Sequence, residues 1–198
     1  MNFCSSLKLI PAIVLLLALS AEAATITGTV KVPRASDNSN AVVYIDKIPD
    51  KTFAAQTAPA TMDQLNLKFV PHVLTVLAGT RVRFPNSDVV RHNVFSPSST
   101  QSFTLGTYPV NETKVRLFTK PGIVTLLCNI HAEMSAYIVV TATPYSAITD
   151  KDGNYSIANV PPGRYVLRVW HEKAARTPPR DITVSGDDHR AINFDLKM

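Results

Sequence analysis

The sequence predicts an all-β protein, and three observations carry that prediction. Short β-branched segments recur along the chain, among them TITGTVKV, AVVYI, VLTVLAG, RVRF, KVRLF, IVTLL, AYIVV, RYVLRVW and INFDL. Clusters of Pro, Gly, Asn and Asp such as PNSD, KPG, DKDGN and PPG punctuate them. No stretch sustains a helical apolar period; the nearest, residues 51–64, is rich in alanine but broken by Pro59. A sandwich or barrel architecture follows.

The first segment stands outside that fold. Lys8, the apolar run Leu9 to Leu19 and the small-residue pattern Ala21-Glu22-Ala23 have the layout of a secretory signal peptide covering residues 1–23. The run is too short for an ordinary membrane span. Cys4 precedes it rather than sitting at the cleavage site, so no lipid anchor is expected. Removing 23 of 198 residues leaves 175, enough for one large or two small domains. The expected location is the periplasm, an oxidising compartment in which cysteines usually pair as disulfides.

The formal net charge is +5, and the loss of Lys8 and Glu22 together leaves it unchanged. The surplus is spread over Lys114, Arg116, Lys120, Arg164, Arg168, Lys173, Arg176 and Arg180 without interleaved aromatics, a pattern that excludes nucleic acid as an expected partner.

Along the mature chain, residues 24–58 supply two strands, ITGTVKV and AVVYI. Residues 59–142 form a block that holds every motif with metal-ligand spacing. Residues 143–198 form a last series of strands with hairpin punctuation. DKDGN at 150–154 alternates oxygen donors, but Pro161 stands where a calcium loop of the EF-hand type needs its glutamate, so a hairpin turn is the better reading.

The stretch CNIHAEM places Cys128, His131 and Met134 in one loop between the apolar strands IVTLL and AYIVV. Cys128 is the one cysteine left in the mature chain, and an unpaired thiol in an exported protein calls for a reason. Positions one, four and seven of a loop between neighbouring strands can point to a common centre. A fourth donor must come from elsewhere, and His92 in FPNSDVVRHNVFS begins a strand after a turn. One thiolate, two imidazoles and a thioether are the donor set of a blue copper site: thiolate and thioether suit Cu(I), and imidazole suits both oxidation states. A metal-bound thiolate needs no disulfide partner.

FVPHVLTVLAGTRVRFPNSDVVRHNVFS followed by CNIHAEM resembles a cupredoxin of the plastocyanin and amicyanin kind, with the short Cys-x2-His-x2-Met loop of amicyanin. The resemblance covers about 80 residues, including a Gly turn at Ala78-Gly79. It implies a cupredoxin fold, one type 1 copper site, and His92, Cys128, His131 and Met134 as ligands. It also implies that Asn86 is the asparagine that ties the two ligand loops together near the cysteine sulfur. Asn129-Ile130 and Ala132-Glu133 depart from the prolines common in related loops, and Glu133 brings a second donor beside the axial position held by Met134. His72, His171 and His189 have no Cys or Met near them and are not expected to bind the metal.

AITDKDGNYSIANVPPGRYVLRVWHE resembles the carboxypeptidase regulatory-like sandwich, a small transthyretin-like domain. The first strands of that family match ITGTVKV and NAVVYIDKI, which lie before the copper block. The expectation is a cupredoxin inserted into a split sandwich built from residues 24–58 and 143–198. No pairing of Ser, His and Asp or of carboxylates stands at catalytic spacing, so no enzyme is expected. The combination resembles bacterial methylamine utilisation proteins, and the expected role is transfer of single electrons between a donor and an acceptor protein. The alternative is copper handling, as a chaperone, store or sensor, without electron transfer.

Overall fold

The computed structural model describes residues 23–186 and 189–198; the expected signal peptide, with Cys4, lies outside the described residues but for Ala23. The described chain contains eighteen strands and no helix. The all-β architecture read from the sequence is what the chain forms.

Six strands from the C-terminal part of the chain and two from its start make one sandwich. Strand β1 (Ala24–Lys31) pairs antiparallel with β14 (Asn154–Val160) and parallel with both β17 (His189–Ala191) and β18 (Phe194–Asp195). Facing it is a sheet in the order β13 (Ser146–Ile148), β2 (Val42–Ile45), β15 (Gly163–Trp170), β16 (Arg180–Val184). Alternation on β14 and β16 puts Tyr155, Ile157, Ile182 and Val184 inward, where they meet Ile26, Ile45, Leu167 and Phe194 in one apolar cluster. Burying a side chain such as Leu167, fully covered here, stabilises by about 1.5–3 kcal/mol.

The turn at 150–154 is not the hairpin expected from the sequence: it carries the chain from β13, paired with β2 in one sheet, to β14, paired with β1 in the other. Gly153 donates its N–H to the Asp150 carbonyl, at φ +87°. The Asp150 carboxylate accepts from the Asn154 backbone and side chain, and those bonds hold it below the usual carboxylate range.

The chain leaves this sandwich after β2 and returns at β13. Those two strands are neighbours, with Tyr44 opposite Ser146 and Val42 opposite Ile148. The buried Thr143 hydroxyl donates to the Ile45 carbonyl at 2.7 Å and fastens the exit of the intervening block to its start.

That block packs two further sheets. One runs β10 (Thr113–Phe118), β7 (Thr80–Pro85), β3 (Ala60–Thr61); the other runs β6 (Val73–Leu77), β12 (Ser135–Thr141), β11 (Gly122–Leu127), β8 (His92–Ser96), β9 (Phe103–Tyr108). Gly79 turns β6 into β7 at φ +93°, a conformation that favours glycine. Met62, Phe84, Val94, Phe118, Leu126 and Ile138 fill the space between the sheets. A hairpin of β4 (Asp63–Leu65) and β5 (Lys68–Val70) closes one end, its two-residue tip Asn66-Leu67 at positive φ.

A third apolar cluster joins the two halves. Val42 of the sandwich and Val73 and Val139 of the other block are buried together, with Tyr137 tilted against Trp170 at 5.0 Å between ring centroids. Odd-numbered residues of β12 face this junction, and the even-numbered Ala136, Ile138 and Val140 face the block's own core.

Candidate metal centre

The two loops that matter leave the same end of the 59–142 block. After β7, residues 86–91 turn the chain into β8, whose first residue is His92. Between β11 and β12, residues 128–134 form a compact loop: Met134 donates to the His131 carbonyl at 3.0 Å and Cys128 donates to the Met134 carbonyl at 3.3 Å. Because β8 pairs with β11 through Phe95 and Leu127, the two loops are held side by side.

One donor atom each from His92, Cys128 and His131 falls within 4.8 Å of the others. His92 and Cys128 are buried, and His131 is half-exposed. The Nδ1 atoms of His92 and His131 lie 3.0 Å apart. Two nitrogens each about 2.0–2.1 Å from one ion can be no more than about 4.2 Å apart, so this spacing suits a shared ion.

The tautomer supports the same use. His92 Nε2 lies 2.9 Å from Asp88 Oδ2, both side chains being buried. A carboxylate can only accept, so Nε2 carries the proton and Nδ1 keeps its lone pair directed at the cluster. Asp88 itself is fastened: Oδ2 also accepts from the Leu67 N–H at 2.7 Å, and Oδ1 from Val89 N–H at 2.8 Å. Burial pushes the Asp88 carboxyl up, but the Leu67, His92 and Val89 hydrogen bonds outweigh it and hold it below the ordinary value.

Met134 is 1% exposed and packs in the core cluster that includes Cys128, whereas Glu133 is exposed. The thioether therefore lies on the inner side of the loop and the carboxylate on the outer side. Glu133 is absent from the donor group formed by the described residues. The Cys128 thiol and the two imidazoles make a nitrogen and sulfur donor set, suited to a soft or borderline transition-metal ion, and Met134 packs in the same buried cluster as Cys128.

The role expected of Asn86 needs correction. Its side-chain N–H groups go to the carbonyls of Val90, at 2.9 Å, and Tyr108, and its Oδ1 accepts from the Asp88 N–H. These bonds shape the 86–91 loop and tie it to the end of β9. The tie between the ligand loops is made by Asn93, whose buried Oδ1 accepts from the Asn129 N–H at 2.8 Å. Asn93 follows His92 in a strand, so it points the opposite way, toward the neighbouring loop.

The other histidines are accounted for. His72 Nε2 meets Glu172 at 2.9 Å with its ring edge-on to Tyr137, across the junction of the two halves. His171 is buried and its Nδ1 accepts from Lys173 N–H. The His189 side chain lies outside the described residues.

Residues 132–197 match the family model of the carboxypeptidase regulatory-like domain. The matched span takes in β12, which pairs with β6 and β11, and leaves out β1 and β2, which complete the sandwich sheets. No curated protein sequence matches the chain. Among solved structures, the chain is similar to a purple cupredoxin from Nitrosopumilus maritimus, with 20% identity, TM-score 0.39, and coverage of 41% of this chain and 99% of that one. It is also similar to amicyanin from Paracoccus versutus, with 19% identity, TM-score 0.40, and coverage of 49% and 97%. A copper-containing nitrite reductase from Thermus scotoductus SA-01 shows 27% identity and TM-score 0.42, over 50% of this chain and only 26% of that enzyme. The chain thus carries a stretch that matches the carboxypeptidase regulatory-like domain and has cupredoxins among its structural neighbours.

Proposed function

We propose that this is a periplasmic type 1 copper protein, with a single site, that carries single electrons between a donor and an acceptor protein and catalyses no reaction of its own. The convergence of His92, Cys128 and His131 donor atoms within 4.8 Å carries the reading. Copper held by one thiolate, two imidazoles and a weak thioether supplies a one-electron step between Cu(I) and Cu(II).

The chain's own residues prepare that centre. Asp88 fixes the His92 ring and its tautomer, and Asn93 holds the Cys128 loop against β8. Val94, Leu126, Met134 and Ala136 exclude water from the inner side. His131 alone of the three donor residues reaches the surface, so its ring edge is the way out for an electron. The two ligand loops also expose Val89, at 88%, and Ile130, at 43%, which offer apolar contact to a partner around that ring.

The test is the visible and paramagnetic resonance spectrum of the copper-loaded protein. An intense thiolate band that bleaches on reduction and is lost in Cys128→Ser is expected. Absence of the band, or its survival in the variant, overturns the reading. Reversible redox cycling without loss of copper to a chelator separates electron transfer from copper handling.

A further inference from the structure

We propose that the cleft between the two halves of the molecule is a binding site for a small organic anion with an apolar ring body. The cleft lies where the end of β15 and residues 171–177 face the turn before β11 and the end of β12. Its volume is about 480 Å³. Ligand pockets typically enclose about 300–1,000 Å³, and junctions between folding units are favoured places for them. None of its lining residues belongs to the metal centre.

The walls mix apolar and polar groups, and the aromatic part is held in place. Ile123 comes from one half and Tyr44 and Trp170 from the other, all three packed at the junction cluster. Trp170 cannot swing freely, because its ring rests on Tyr137 within the cluster that joins the halves. A fixed indole face is a good platform for a flat ring.

The charges select the sign of the ligand. Asp46 lines the cleft, but its Oδ2 accepts from Arg168 Nε at 2.5 Å, so these two charges offset each other. Burial keeps the imidazole of His171 toward its neutral form. Arg176, exposed at the cleft, has no hydrogen bond or ion pair with another described residue. The lining therefore carries one guanidinium outside any ion pair, in the same cleft as Tyr44 and Trp170 and close enough to act on the Tyr44 hydroxyl. A guanidinium recognises carboxylate, sulfonate or phosphate by paired N–H donors, and it repels a cation with the same ring body.

Trp170 is the only tryptophan in the chain, so its emission reports on this cleft. The probe is 8-anilinonaphthalene-1-sulfonate, titrated into the full exported chain while Trp170 emission is followed. Saturable quenching is expected. Arg176→Glu, at an exposed position, should weaken the apparent affinity at least tenfold with unchanged thermal unfolding. The uncharged analogue N-phenyl-1-naphthylamine should bind at least tenfold more weakly. Ile130→Ser, at the metal end, should leave the titration unchanged. Quenching without saturation, equal affinity in Arg176→Glu or for the uncharged analogue, or loss of quenching in Ile130→Ser each overturns the proposal. The test needs no copper, so its failure leaves the metal reading untouched.

Discussion

Asp88 Oδ2 and His92 Nε2 lie 2.9 Å apart in the interior, four residues apart in a loop that makes no regular structure between them. The same oxygen receives the Leu67 N–H from the tip of the β4–β5 hairpin. One carboxylate thus fixes the His92 ring and anchors a turn whose Asn66 and Leu67 sit at φ +53° and +57°. Removing such an outer partner typically lowers metal affinity about 10–100-fold. Asp88→Ala should show that loss in a competitive chelator titration, and Asp88→Asn, which keeps an acceptor oxygen, should recover part of it.

Asn93→Ala removes the acceptor for the Asn129 N–H. The expected destabilisation is about 0.5–1.5 kcal/mol in denaturant unfolding of the metal-free protein. The copper-loaded variant should also exchange metal faster, because the Cys128 loop is no longer tied to the residue beside His92. Asn86→Ala should alter the 86–91 loop without loosening residues 128–134, and hydrogen exchange of the Asn129 amide distinguishes the two.

Gly153 turns between β13 and β14 at φ +87°, and a Cβ there would lie 2.3 Å from the Val30 carbonyl oxygen. Gly153→Ala should cost about 1–3 kcal/mol, since both the backbone conformation and the approach of β1 forbid a side chain. Thermal unfolding of the variant measures it.

Acid should weaken the same corner. Hydrogen bonds from Asn154 hold Asp150 below its ordinary value, and those from Ser39 do the same for Asp37. A depressed carboxylate adds stability that is present above the unfolded value, about 3.9, and is lost as pH falls through the folded value. The unfolding midpoint should therefore drop below about pH 4. Asp150→Ala should flatten part of that drop in a pH series of thermal melts.

What the sequence disclosed follows the range of the interactions. Cys128, His131 and Met134 are legible because three donors share one loop, and a spacing of three needs no knowledge of the rest of the chain. His92 is legible because a strand start after PNSD marks it. Asp88 leaves no such signal: an acid four residues before a histidine means something only once the loop has folded back. The choice between Asn86 and Asn93 depends on the pleat of β8, which decides which amide faces the next loop. The β4–β5 hairpin also hid, because its tip uses Asn66-Leu67 where a tight turn usually shows glycine. The pairing of β1 with β14 spans most of the chain and could be foreseen only through a family likeness.

The neighbouring positions of β2 and β13 set an order of assembly. The 59–142 block closes on contacts within its own span, while β1 must wait for β14, β17 and β18 to be made at the far end of the chain. Distant pairings form slowly because loop closure has to precede them. The block between can fold first and bring Val42 and Ile148 together as it does so, turning a search across about a hundred residues into the closing of a short hairpin. The 59–142 block then acts as the staple that lets the sandwich fold around it.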